Sequence, residues 1–173
     1  MRTTKDGKIA TNRATEFSKD LVRFLNEHQR FNERYGLTWR RNGMHSEKHV
    51  GSVDVVGSTS SGVRIVIEAE LLRDDPATNV TKLWKWFAET KNRPKKVLMV
   101  QAFSKIYGNR KRRAKELAQF VGERMEKEVR GIRYVSPSLA YNPRPGGKRG
   151  AGRRRFHARK LGATVMQLIR KYR

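Results

Sequence analysis

The sequence predicts an α/β domain, a mixed central sheet flanked by helices, with a basic arm at its C-terminal end. Three observations predict it. Apolar residues recur at helical spacing in three separate stretches. β-Branched runs bounded by Gly and Pro fall between them. Near residue 141 the composition turns to Pro, Gly and Arg. The order reads helix, three strands, helix, strand, helix, strand, which demands a layered arrangement. The expected division is a domain over 1–140 and an arm over 141–173. A chain of 173 residues is long enough for one core and such an appendage.

The polar opening to Arg13 predicts a loosely ordered segment. From Ala14, the residues Phe17, Leu21, Phe24, Leu25, His28, Phe31 and Tyr35 share one helical face, and Gly36 supplies a stop. Residues 37–41 read as a short strand and Asn42-Gly43 as a hairpin turn. Val53-Asp54-Val55-Val56 and the run from Val63 to Leu71 are the next strands, joined by the turn-rich Ser58 to Gly62. Asp74-Asp75-Pro76 breaks the second run and starts a helix carrying Val80, Leu83, Trp84 and Phe87. Val97-Leu98-Met99-Val100 with Ala102 and Phe103 is a buried central strand. A long helix over 110–129 is expected to turn Ala114, Leu117, Phe120, Val121 and Met125 inward. Gly131 ends it, and residues 132–135 form a last strand. The arm reads as a basic linker through Arg153-Arg154-Arg155, with a short helix over 161–172.

Charge narrows the partners. Lys and Arg number 40 against 16 Asp and Glu, a formal net charge of +24. Such a field favours a polyanion, because each neutralised phosphate releases condensed counterions. The cations Arg110, Lys111, Arg112 and Arg113 open a helix, where they oppose its dipole, so phosphate contact explains them better than helix design. Arg153, Arg154 and Arg155 lie in an arm stretch without acids and carry the same expectation. No apolar run approaches the roughly 18 to 20 residues that span a bilayer. The first residues lack the apolar stretch of a signal peptide. Absence of cysteine fits a reducing interior and excludes thiolate zinc sites. A cytoplasmic, nucleoid-associated protein is expected. His45 and His49 are i, i+4, but Gly43 and Gly51 flank them and argue against a helical metal pair.

Acids in apolar strands are the strongest chemical signal. Burying a charge costs several kcal/mol, roughly, unless it is paired or ligates something. Asp54 interrupts a valine run, while Glu68 and Glu70 close an Ile-Val-Ile run. Strand alternation puts Glu68 and Glu70 on one face, about 6.6 Å apart along the strand. Pairing with the preceding strand brings Asp54 to the same end. Three converging carboxylates repel one another unless a cation sits between them, and hard oxygen donors suit Mg²⁺ or Mn²⁺. The bland alternative salt-bridges the glutamates to Arg40, Arg64 or Arg73 at a strand end. Trp84, Trp86 and Phe87 suit base stacking or, at helical spacing, core, with Trp86 nearest the edge. Asn79 suits a phosphate contact or a helix-capping role.

Asp54, a short hairpin and then Glu68-Ala69-Glu70 resemble the active-site signature of the PD-(D/E)XK nuclease superfamily. The likeness runs from the first helix to about Val135 and includes the superfamily's αβββαβ order. The resemblance implies a Mg²⁺- or Mn²⁺-dependent endonuclease cutting DNA, with Asp54 and Glu68 as metal ligands. The position usually held by lysine is Glu70, which some restriction enzymes of the superfamily also carry. Glu70 then acts as general base or further ligand, or Lys82 on the following helix takes the lysine's role. The superfamily often adds an acid from the first helix, for which Glu16 is the candidate, ahead of Asp20 and Glu27. Many such nucleases cut both strands as dimers, so a homodimer is one expected assembly. The rival class is a non-catalytic DNA- or RNA-binding protein on a nuclease-like scaffold.

Overall fold

The computed structural model describes residues 5–43, 52–60, 63–90, 94–143 and 147–172. The His45–His49 pair, the Ser61-Gly62 turn and Arg144 of the arm lie outside the described residues. The elements are α1 (Lys5–Glu27), α2 (Gln29–Tyr35), β1 (Leu37–Gly43), β2 (Val53–Thr59), β3 (Val63–Glu70) and α3 (Ala77–Glu89). They continue with β4 (Lys96–Phe103), α4 (Ile106–Asn109), α5 (Arg112–Glu128), β5 (Ile132–Val135) and α6 (Gly147–Lys171). The chain is a mixed α/β fold. Its five-stranded sheet has the order β1-β2-β3-β4-β5. β1, β2 and β3 form an antiparallel meander, and β4 and β5 add parallel to β3.

Helices cover both faces because strand alternation sends apolar side chains both ways. Val55, Ile65, Ile67, Ala69, Leu98 and Val100 pack toward Phe17, Leu21 and Leu25 of α1 and Ala158, Leu161 and Val165 of α6. Val56, Val66, Val97 and Met99 pack toward Val80, Leu83, Trp86 and Phe87 of α3 and Met125 of α5. Among the described residues, no helix is long and apolar enough to cross a membrane.

Four local expectations are corrected. The opening is helical from Lys5, nine residues before the apolar periodicity begins at Ala14. The first helix is not continuous to Tyr35. His28 leaves helical geometry at φ −90°, ψ 58°, its Nδ1 lies 2.8 Å from the Phe24 carbonyl, and Asn32 Nδ2 donates to the Leu25 carbonyl. These side chains take over carbonyls that a break would orphan. Asn42 and Gly43 belong to β1, with Gly43 opposite Val53, so they do not form the turn. The helix expected over 110–129 is α5, preceded by the separate short α4, and Met125 faces inward as expected, but the rest of the buried face differs. Leu117 and Phe120 are exposed, while Ala118, Gly122 and Met125 are buried. Gly122 decides that face, because a Cβ there would lie 2.4 Å from the Tyr134 ring.

The arm is also different from its expectation. Residues 147–171 form one helix instead of a linker and a short helix. Ala158, Leu161 and Val165 are at most 1% exposed and lie in the core shared with α1. Gly162 allows the approach, since a Cβ there would meet Phe24 at 2.4 Å. A Gly- and Arg-rich composition signals a linker only when it has no apolar stripe to bury, and this one has a stripe.

Candidate functional site

The pairing of β2 with β3 runs from Ser58 opposite Arg64 to Val55 opposite Ile67. The strands then part, and the Ala69 amide is satisfied by the carboxylate of Asp54, 2.8 Å to Oδ2. A buried N–H needs an acceptor, so this bond ties the Asp54 side chain to the acidic end of β3. Glu68 and Glu70 follow Val66 on the α3 side of the sheet. They are 5% and 3% exposed.

Glu70 is held by a buried polar network. Its Oε1 accepts from Asn79 Nδ2 and from Gln101 Nε2, each at 2.8 Å. The Gln101 amide also donates to the Pro76 carbonyl, and its oxygen accepts from the Tyr134 hydroxyl. Asn79 Oδ1 accepts from Arg73 Nη1 at 3.1 Å. The chain Tyr134–Gln101–Glu70–Asn79–Arg73 therefore joins β5, β4, β3, α3 and the β3–α3 loop. Buried networks of this kind hold one geometry because every member has a partner.

Asp54, Glu68 and Glu70 line one cleft of about 590 Å³ with Ala14, Thr15 and Ser18 of α1, Ser52, Leu71 to Asp74, and Asn79. Burial pushes Asp54 up to about 6, against the pull of the Ala69 amide and the charges of Arg73 and Arg41. Burial also pushes Glu70 up to about 6, with the Asp54 charge adding to it and the amides of Gln101 and Asn79 opposing. Glu68 is raised well above the ordinary carboxyl range, by burial first and then by the charges of Asp54 and Glu70. Among the described residues, no Lys or Arg nitrogen lies within 4 Å of an oxygen of these three acids.

Other sequence candidates fall elsewhere. Glu16 does not line the cleft; it pairs with Lys19 at 2.7 Å and approaches Arg154 at 3.7 Å. The α1 face toward the cleft belongs to Ala14, Thr15 and Ser18 instead. Lys82 lies on α3 one turn beyond Asn79 and is not in the lining. Lys111 spends its ammonium on the β3–α3 loop: it donates to the Leu72 carbonyl, to the Arg73 carbonyl at 3.0 Å, and pairs with Asp74 at 2.7 Å. Arg112 pairs with Glu116, while Arg110 and Arg113 are exposed. Arg154 is turned inward onto Asp20 at 2.7 Å, and Arg153 and Arg155 are exposed beside it. Trp86 is 1% exposed core and Trp84 is half-buried, the reverse of the expected order.

One polar site residue escaped the sequence reading. Gln101 is the one amide in the apolar strand Val97–Phe103 and is fully buried, which requires partners. Arg73 was expected only as a salt-bridge partner of the glutamates, and it lines the cleft without pairing with them. The donor set fits a hard divalent cation in its chemistry: three desolvated carboxylates with no ammonium or guanidinium on them among the described residues. Among those same residues, no set of three or more His, Cys, Asp or Glu side chains is drawn together tightly enough to hold a metal as it stands. Compared with known proteins, the chain matches no family model, no curated protein and no solved structure.

Proposed function

We propose that the chain is a metal-dependent endonuclease that hydrolyses DNA phosphodiester bonds in this cleft. One observation carries the reading. Three carboxylates, Glu68 and Glu70 buried and Asp54 half-buried, line one cleft of a chain with net charge +24, and none is ion-paired among the described residues. Their raised proton affinities mean that burial outweighs the pull of the nearby Arg73 charge on each of them. The element order supports a PD-(D/E)XK-like core once α1 and the short α2 are taken together as its first helix, followed by β1, β2, β3, α3 and β4.

Asp54 and Glu68 are the proposed ligands of Mg²⁺ or Mn²⁺, which when bound would polarise the phosphate and acidify a coordinated water. Asp54 is oriented by the Ala69 amide, and Glu70 by Asn79 and Gln101. With its Oε1 engaged, Glu70 keeps its second oxygen to accept a proton from the attacking water or to complete the ligand set. The exposed cations Arg110, Arg113, Arg153 and Arg155 supply sequence-independent contacts to the backbone. The rival is a non-catalytic nucleic-acid-binding protein. The open spacing of the acids favours it, as does the saturation of Glu70 Oε1 by two amides.

The deciding experiment is Mg²⁺-dependent cleavage of linear, branched and single-stranded DNA, and of RNA, beside gel-shift binding. Wild type cleaves and Asp54→Asn does not, with affinity equal or higher in the variant. Binding without cleavage of any substrate gives the rival.

A further inference from the structure

We propose that Arg73 binds a phosphodiester of the nucleic-acid backbone in the acidic cleft, beside the carboxylates. The inference deepens the nuclease reading for the cleaved phosphate, but the phosphate contact itself does not depend on cleavage.

The loop carrying Arg73 is clamped carbonyl by carbonyl. Ser104 Oγ donates to the Leu71 carbonyl at 2.7 Å and Lys111 Nζ to that of Leu72. The Arg73 carbonyl accepts from Tyr107 Oη at 2.5 Å and Lys111 Nζ at 3.0 Å. These donors come from the segment between β4 and α5, so the position of Arg73 is set by the fold and does not rest on its own side chain.

That side chain is exposed and lines the same cleft as the three acids. An arginine serving only to neutralise them would form a forked pair with one carboxylate. Arg73 instead donates to the neutral Asn79 amide, whose nitrogen faces Glu70. The amide spaces guanidinium from carboxylate. Of the five N–H donors in a guanidinium, one is used by a described contact, and the planar fork suits the two oxygens of a phosphodiester. A backbone phosphate held there stands next to the acids, where a bound cation would share it.

The test measures affinity for a duplex DNA at several salt concentrations, in Ca²⁺ and in Mg²⁺, with wild type, Arg73→Ala and Arg73→Lys. Cleavage is followed in the Mg²⁺ series. Loss of one phosphate contact flattens the slope of log K against log salt by about 0.9 in Arg73→Ala. Arg73→Lys restores the slope but not the full cleavage rate, because it keeps the charge and loses the fork. Removal of transition-state charge stabilisation in Arg73→Ala slows cleavage by about 10²- to 10³-fold. An unchanged slope in Arg73→Ala overturns the proposal, as does wild-type cleavage by that variant. A wild type that never cleaves, with the slope still dependent on Arg73, removes the nuclease reading and leaves the phosphate contact standing.

Discussion

Replacing Glu70 by glutamine should stabilise the fold at neutral pH while stopping cleavage. Glu70 is 3% exposed, and its Oε1 accepts two amide hydrogens at 2.8 Å. A glutamine keeps an oxygen in that place, so both donors remain satisfied and only the charge leaves. The folded carboxyl is pushed from 4.5 up to about 6, so the folded state holds its proton more tightly than the unfolded chain. Its contribution to stability is therefore full below the unfolded value and is lost as pH rises through about 6. That displacement corresponds to about 2 kcal/mol. At pH 7.5 without divalent ions, Glu70→Gln should exceed wild type by up to this amount, a Tm rise of about 4–8 °C for a chain of this size. At pH 4 the two should coincide. Urea unfolding in EDTA at both pH values measures the difference. Mg²⁺ should then stabilise wild type more than the variant. A variant no more stable than wild type at pH 7.5 refutes the argument that Glu70 is an uncompensated buried charge.

Three further outcomes follow from the same geometry. Asp54→Asn should lose Mg²⁺-dependent cleavage and keep DNA binding in a gel shift, because an asparagine oxygen still serves the Ala69 amide; Glu68→Gln should behave alike. Lys82→Ala should cleave at the wild-type rate, since Lys82 is outside the cleft, and a loss of about 10²-fold or more in a timed cleavage assay would restore it as the catalytic lysine. Arg154→Ala should destabilise the fold by about 1–3 kcal/mol in urea unfolding by stranding Asp20, whereas Arg153→Ala and Arg155→Ala should leave stability alone and flatten the salt dependence of DNA binding.

The strands were legible because their apolar runs or alternations are bounded by Gly, Pro or an acid, with β3 and β4 buried on both faces and β1 and β5 on one. β3, β4 and β5 lie within a residue of their expected bounds, whereas β2 runs on to Thr59, taking in Ser58 and Thr59 that were expected in the turn. What failed was information carried by a second element. The buried face of α5 depends on the Tyr134 ring seated against Gly122, and nothing within α5 predicts it. The break at His28 depends on side chains taking over carbonyls, with Trp39 of β1 donating to Asn32 Oδ1. The arm's composition hid an apolar stripe whose partner lies about 140 residues earlier in α1.

The same division holds for the site. Asp54, Glu68 and Glu70 were visible because each interrupts an apolar run, whereas Glu16 was chosen along a helix edge that turns out to face Lys19 and Arg154. The contrast between these acids bears on what the cleft is for. With 40 cations for 16 acids, a carboxylate in this chain finds a partner easily. Glu16, Asp20, Asp74, Glu89, Glu116 and Glu126 all have one within 4 Å. The three acids of the cleft, where burial makes an unpaired charge most costly, have only neutral donors at that range among the described residues, although Arg73 lines the same cleft. Asn79 stands between Arg73 and Glu70 and hydrogen-bonds to both. On the proposed function, that spacing would leave the acids to a cation and the guanidinium to a phosphate, the two things that phosphodiester hydrolysis needs in one place.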